Sequence, residues 1–175
     1  GTGMAAPVTN GASQRNVKFV WLLRQEQVLC QTPITQRDEL LHELLKLLAY
    51  QCGIGNVEDA YTAVLEREKA ASTVLAPGIA VPHARLAAVD ALAVAVATSR
   101  QGVDFGDDSG PVNLVILILA PKANPALYLQ AVSSLAGICA DPATAQTVAA
   151  LDTARDVWRF FDREGLVLPD YICAA

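Results

Sequence analysis

Leucine recurs at positions 40, 41, 44, 45 and 48 with polar residues between, the spacing of one helix face. This predicts a helix with Thr35 available as its cap, Asp38 and Glu39 in its first turn and Gly53 as its stop. A second helix is predicted from Asn56 as cap, with Asp59 in its first turn, a buried stripe of Val57, Ala60, Tyr61, Val64 and Leu65, and an end near Ala70. The period then changes. Gly78 to Val81, Ala91 to Thr98 and Val112 to Leu119 read as strands, and the last two are continuously apolar, which calls for cover on both faces. Three helix starts follow: Asn124-Pro125, Asp141-Pro142, and Thr153 with Asp156. The last of these helices has Val157, Phe160 and Phe161 as its apolar face and Gly165 to end it. Near the start, Val17 to Leu23 reads as a strand by its β-branched and aromatic content, although so short a run also fits a buried helical turn.

The order strand, two helices, three strands, three helices suits an α/β fold better than strict βαβ alternation. The expectation is a single domain with a mixed β-sheet of about five strands and helices packed on both faces. Residues 1–15 read as a flexible N-terminal tail, residues 16–166 as the domain and residues 167–175 as a C-terminal tail. No internal repeat, low-complexity tract or interdomain linker interrupts the pattern.

Composition narrows the function classes. At 175 residues the chain has room for about one domain, and 53% apolar with 18% charged residues is a globular balance. Eighteen acidic against thirteen basic residues give a net charge of -5, which argues against binding a phosphate backbone by bulk charge and so against nucleic acid as a partner. The longest apolar runs, Ala91 to Ala97 and Leu114 to Ala120, are seven residues each, whereas a membrane span needs about 20. With no stretch of signal-peptide character near the start, a cytoplasmic protein that is not membrane-inserted is expected. Cys30, Cys52, Cys139 and Cys173 form no Cys-x-x-Cys pair and only two histidines exist to join them, so they read as reduced, mostly buried thiols and no metal site is expected.

Of the two histidines, His42 lies off the leucine stripe beside Glu39 and Lys46 and reads as a residue of a solvated helix face. His83 is different. It follows Gly78-Ile79-Ala80-Val81-Pro82, where an apolar strand meets a proline that has no N–H for a ladder, so the chain is expected to leave the sheet there. A residue just past a strand end on a rigid scaffold is well placed to act, and imidazole serves as nucleophile, base or ligand near neutral pH. Arg67, Ser72, Thr73 and Arg85 lie within twenty residues of it, and two guanidinium groups with two hydroxyls suit a phosphoryl group. No Gly-rich nucleotide loop is present, so a direct ATP kinase is not expected.

Arg67-Glu68-Lys69-Ala70-Ala71-Ser72-Thr73, followed by Gly78-Ile79-Ala80-Val81-Pro82-His83, resembles the active-site signature of the enzyme IIA domains of the mannitol and fructose type, including their nitrogen-regulatory branch. These belong to the bacterial phosphoenolpyruvate-dependent phosphotransferase system. The sixteen positions from Arg67 to His83, Gly102-Val103-Asp104-Phe105 and the stretch from Pro111 to Pro121 also fit, so the resemblance covers roughly residues 25 to 163. It implies a phosphocarrier without cofactor. His83 would accept a phosphoryl group from the phosphohistidine of the histidine-containing phosphocarrier protein and pass it to a cysteine of a IIB domain, or signal to a regulated target protein by its phosphorylation state. Arg67 would stabilise charge, Ser72 and Thr73 would hydrogen-bond the phosphate or the histidine, and Arg85 is a further candidate.

The chain also departs from that pattern. The resemblance puts a second active-site histidine where this chain has Tyr128, whose hydroxyl donates one hydrogen bond but carries no positive charge. Positions 74 and 76, often glycine in such proteins, are Val74 and Ala76. A degenerate, non-transferring regulatory module acting on a transporter or kinase therefore fits the same residues. A docking patch around the histidine is expected, with Leu75, Pro77 and Leu86 as candidates.

Overall fold

The computed structural model describes residues 15–106 and 108–170. Residues 1–14 of the expected N-terminal tail, and Cys173, lie outside the described residues.

The long strands β6 (Ala93–Asp104) and β7 (Pro111–Pro121) form an antiparallel hairpin at the centre of a mixed six-stranded sheet. Parallel to β6 on its outer side runs β2 (Val28–Leu29). On the other side of β7 lie β4 (Ile79–Ala80) and β5 (His83–Leu86), one after the other along the same neighbour, with β3 (Val74–Ala76) folded back on β4. A separate antiparallel pair joins β1 (Arg15–Lys18) to β8 (Val167–Asp170), which falls inside the segment read from the sequence as a tail.

Six strands stand where about five were expected because one site strand is split in two. Pro82 cannot donate to the ladder, yet its carbonyl accepts from the Ile118 N–H at 3.0 Å, and the register resumes with His83 opposite Ile118. The chain thus stays in the sheet at Pro82, contrary to the reading that it leaves there. The expected strand over Val17 to Leu23 is likewise corrected: it ends at Lys18, and Phe19–Trp21 form a turn of 3-10 helix. Phe19 and Val20 are buried by that turn, and the Gln27 side-chain amide donates to the carbonyls of Leu22 and Val94, satisfying backbone that a strand would have paired.

The helices form where periodicity places them. Helix α1 (Arg37–Gln51) buries all five leucines of its stripe, and α2 (Val57–Ala70) is capped by the Asn56 side chain accepting from the Asp59 N–H. Gln36 rather than Thr35 stands at the cap of α1, because the Thr35 carbonyl is taken by the Asp104 N–H. Helix α3 (Pro125–Ser134) starts with proline in its first turn, and α4 (Ala136–Ala140) follows after a one-residue break. Asp141 accepts from the Ala143 N–H, so α5 (Thr144–Ala149) begins later than the Asp141-Pro142 pair suggests. Helix α6 (Ala154–Glu164) has its Thr153 cap and a left-handed Gly165 at φ 65°.

Strand alternation divides the core into two layers. Leu114, Ile116 and Ile118 of β7 pack with Val94 and Val96 against residues of α3, α4, α5 and α6. Val115, Leu117 and Leu119 pack with Ala93, Ala95 and Ala97 against α1 and α2, where the small alanines leave room for the leucine stripe. Burying each of those leucines contributes about 1.5–3 kcal/mol relative to exposing it. No described helix is long and apolar enough to cross a membrane.

Candidate functional site

The last turn of α2 divides its side chains by direction. Glu66 and Arg67 point toward a cavity of about 400 Å³, while Glu68 is buried. The Arg67 guanidinium donates to the Ala71 carbonyl at 2.8 Å, closing one orphan acceptor of the helix end. The Glu68 carboxylate accepts twice from Thr73, from its N–H at 3.1 Å and its hydroxyl at 2.6 Å. Thr73 is thereby buried and committed to Glu68, whereas the exposed Ser72 accepts from the Val74 N–H at 3.2 Å.

Thr73 in turn fixes the segment that follows, since its carbonyl accepts from the Val81 N–H at 2.9 Å. Between them Pro77-Gly78 makes the tight turn from β3 to β4. Gly78 has φ 80°, and a Cβ there would stand 2.8 Å from that of Ala145, so glycine is required on both counts.

His83 begins β5 and is 8% exposed. Its Nδ1 lies 2.9 Å from the Val81 carbonyl, which can only accept, so Nδ1 carries the proton and Nε2 keeps its lone pair. The Tyr128 ring of α3 stacks on the imidazole with centroids 5.2 Å apart and planes 27° apart, an arrangement that leaves the edge of the ring free. The Arg85 guanidinium carbon lies 5.3 Å from the Tyr128 centroid, in cation–π range. Burial pushes the imidazole below its ordinary pKa and the Arg67 charge adds to that, outweighing the opposing pull of the Val81 carbonyl and Glu68.

The cavity is lined by Ala63, Glu66 and Arg67 of α2, His83, Ala84 and Arg85 of β5, and Lys122 and Tyr128. Of the residues expected to carry chemistry, the structure brings Arg67, His83, Arg85 and Tyr128 together here. Thr73 and Ser72 are not among its lining. Lys122 and Glu66 carried no sequence signal, because only the pairing of β5 with β7 brings residue 122 to the histidine. Leu75 and Pro77 are exposed away from the cavity lining and Leu86 packs on the core, while Leu129, beside Tyr128, is 56% exposed.

His42 is corrected as to its partners: its Nε2 pairs with Glu58 of α2 at 2.8 Å and its ring meets Tyr61 edge-on, while Lys46 pairs with Glu43. Cys30, Cys52 and Cys139 are half-buried free thiols, and burial pushes that of Cys139 up. Among the described residues no three His, Cys, Asp or Glu side chains gather to hold a metal.

A buried, oriented histidine on the β5 strand of an α/β sheet thus shares one cavity with two arginines, Arg67 and Arg85. The family model described as "Phosphoenolpyruvate-dependent sugar phosphotransferase system, EIIA 2" matches residues 22–164, and the chain belongs to that family. It is 32% identical over 121 residues to the fructose-specific EIIABC component of Bacillus subtilis, covering 68% of this chain but only 19% of that protein's length. It is 28% identical over 138 residues to a nitrogen regulatory protein of Bradyrhizobium diazoefficiens, covering 78% of this chain and 90% of the relative. Among solved structures, the nitrogen regulatory protein IIA-Ntr of Neisseria meningitidis superposes with a TM-score of 0.74 at 25% identity, over 81% of this chain and 97% of that one. The mannitol enzyme IIA of Escherichia coli, solved in complex with phosphorylated enzyme IIB, shares the fold with a TM-score of 0.63 at 23% identity, over 81% of this chain and 97% of that one.

Proposed function

We propose that the chain is a phosphohistidine carrier of the phosphotransferase system, with His83 as the phosphoryl acceptor. The observation that carries this reading is the Nδ1–H of His83 held on the Val81 carbonyl, with the Nε2 edge left free beside a cationic cavity. In the step proposed, the Nε2 lone pair attacks phosphorus of the phosphohistidine on the histidine-containing phosphocarrier protein. The donor's P–N bond breaks and its imidazole leaves with the electron pair. No proton has to leave Nδ1. A thiolate on a IIB domain then attacks the same phosphorus and His83 is released, or the phosphorylated state is read by a regulated target protein. Arg67 neutralises charge on the transferring oxygens. Thr73 acts from outside the cavity as a positioning residue, Ser72 orders the turn after α2, and Arg85 aligns Tyr128. The exchange belongs in the cytoplasm, where those partners operate.

The Tyr128 ring stacked on His83 favours a second reading, a regulatory module that binds a transporter or kinase without transferring phosphate. Intact mass after incubation with phosphoenolpyruvate, enzyme I and the histidine-containing carrier decides between them. The carrier reading expects an acid-labile gain of one phosphoryl group in the wild type and none in His83→Ala. No gain in the wild type, with another IIA protein phosphorylated in the same mixture, overturns it.

A further inference from the structure

Lys122 follows the last residue of β7, and its N–H donates to the Leu86 carbonyl at 3.1 Å, which pins the ends of β5 and β7 together at the mouth of the His83 cavity. Its ammonium makes no ion pair or hydrogen bond among the described residues. The other two cations of the cavity differ: Arg67 is tied to the Ala71 carbonyl and Arg85 lies over the Tyr128 ring. On a chain with a net charge of -5, three cations therefore meet at one cavity beside a single carboxylate, Glu66, and one of them has no partner. Such a group is worth most against a dianion that arrives at Nε2.

We infer that Lys122 is a catalytic residue, the mobile cation that contacts the phosphoryl oxygens as they reach and leave Nε2. The inference rests on the carrier reading above. The P–N bond of the donor breaks and the P–Nε2 bond forms. Lys122 stays protonated throughout, contributing charge and hydrogen bonds and no proton. Arg67, held by Ala71, supplies a fixed charge from the α2 side, and Lys122 supplies a movable one from the β7 side.

The test compares wild type with Lys122→Met, Lys122→Arg and a charge control, Lys46→Met, in two measurements. One is the affinity for inorganic phosphate, followed through the His83 imidazole resonances. The other is the rate of phosphoryl uptake from the phosphorylated carrier protein. Lys122→Met is expected to weaken phosphate binding and slow uptake by about three- to tenfold each, and added salt to shrink both differences. Lys122→Arg should fall within about twofold of wild type, since the charge is kept. Lys46→Met should match wild type, and the urea midpoint of all three should stay put, which separates a contact with the phosphoryl group from a structural role. Uptake in the wild type with neither quantity moved by Lys122→Met overturns the role of Lys122 and leaves the carrier reading intact. No uptake in the wild type overturns the carrier reading and the catalytic role with it. In that event a Lys122-dependent affinity for phosphate still supports the anion contact.

Discussion

His83 shows how one residue's surroundings set its chemistry. Burial disfavours the imidazolium and Arg67 adds to that, so the ring is held below the ordinary value near 6.5 and is neutral, hence nucleophilic, at pH 7. The same shift makes stability depend on pH. The unfolded chain takes up a proton at this position as pH falls through about 6.5, the folded chain only at lower pH, so between those values the unfolded state holds more protons. The contribution of His83 is therefore complete above about 6.5 and is lost as pH drops toward the folded value. Urea unfolding of wild type and His83→Gln across pH 5 to 7.5 should show this component in the wild type alone. Parallel profiles would mean that the imidazole is not held neutral.

Among the elements, α2 and the β3–β4 turn are joined by one buried brace. Glu68 accepts both polar hydrogens of Thr73, and Thr73 accepts from Val81, two residues before the histidine. Thr73→Val keeps the shape and removes the hydroxyl donor, leaving a buried carboxylate oxygen short of a partner at a cost of about 1–3 kcal/mol. Ser72→Ala, at an exposed position, should stay within about 0.5 kcal/mol. The urea midpoints of the two variants check both figures. Equal effects would show that the brace carries no weight. This element was half legible. The sequence held Glu68 and Thr73 five positions apart in one motif, but the hydroxyls of Ser72 and Thr73 read alike until burial separated them. Leucine spacing and the caps at Asn56 and Thr153 made α1, α2 and α6 plain, and unbroken apolar runs did the same for β6 and β7. The two-residue strands β2 and β4 carry too few positions to show a period, and Pro82 suggested an exit from the sheet although only its missing N–H, not its carbonyl, argues for one.

In the whole molecule, the central β6–β7 hairpin sets β5 at a sheet edge between α2 and α3, and this placement assembles the site. Arg67 and His83 could be named from the sequence because the motif holds them sixteen positions apart, and Tyr128 because it stands where the resemblance implies a second histidine. Lys122 and Glu66 could not, because only the parallel pairing of β5 with β7 and the last turn of α2 bring them to the histidine. That assembly also concentrates positive charge in one cavity of an acidic chain, a setting that suits the proposed phosphohistidine. Everything proposed for the site turns on the orientation of His83 within it, which nitrogen-correlated NMR of the imidazole reads. After incubation with the phosphorylated carrier protein, a phosphorus–nitrogen coupling is expected at Nε2, with Nδ1 still protonated on the Val81 carbonyl. Coupling at Nδ1, or an unmodified His83, would contradict it.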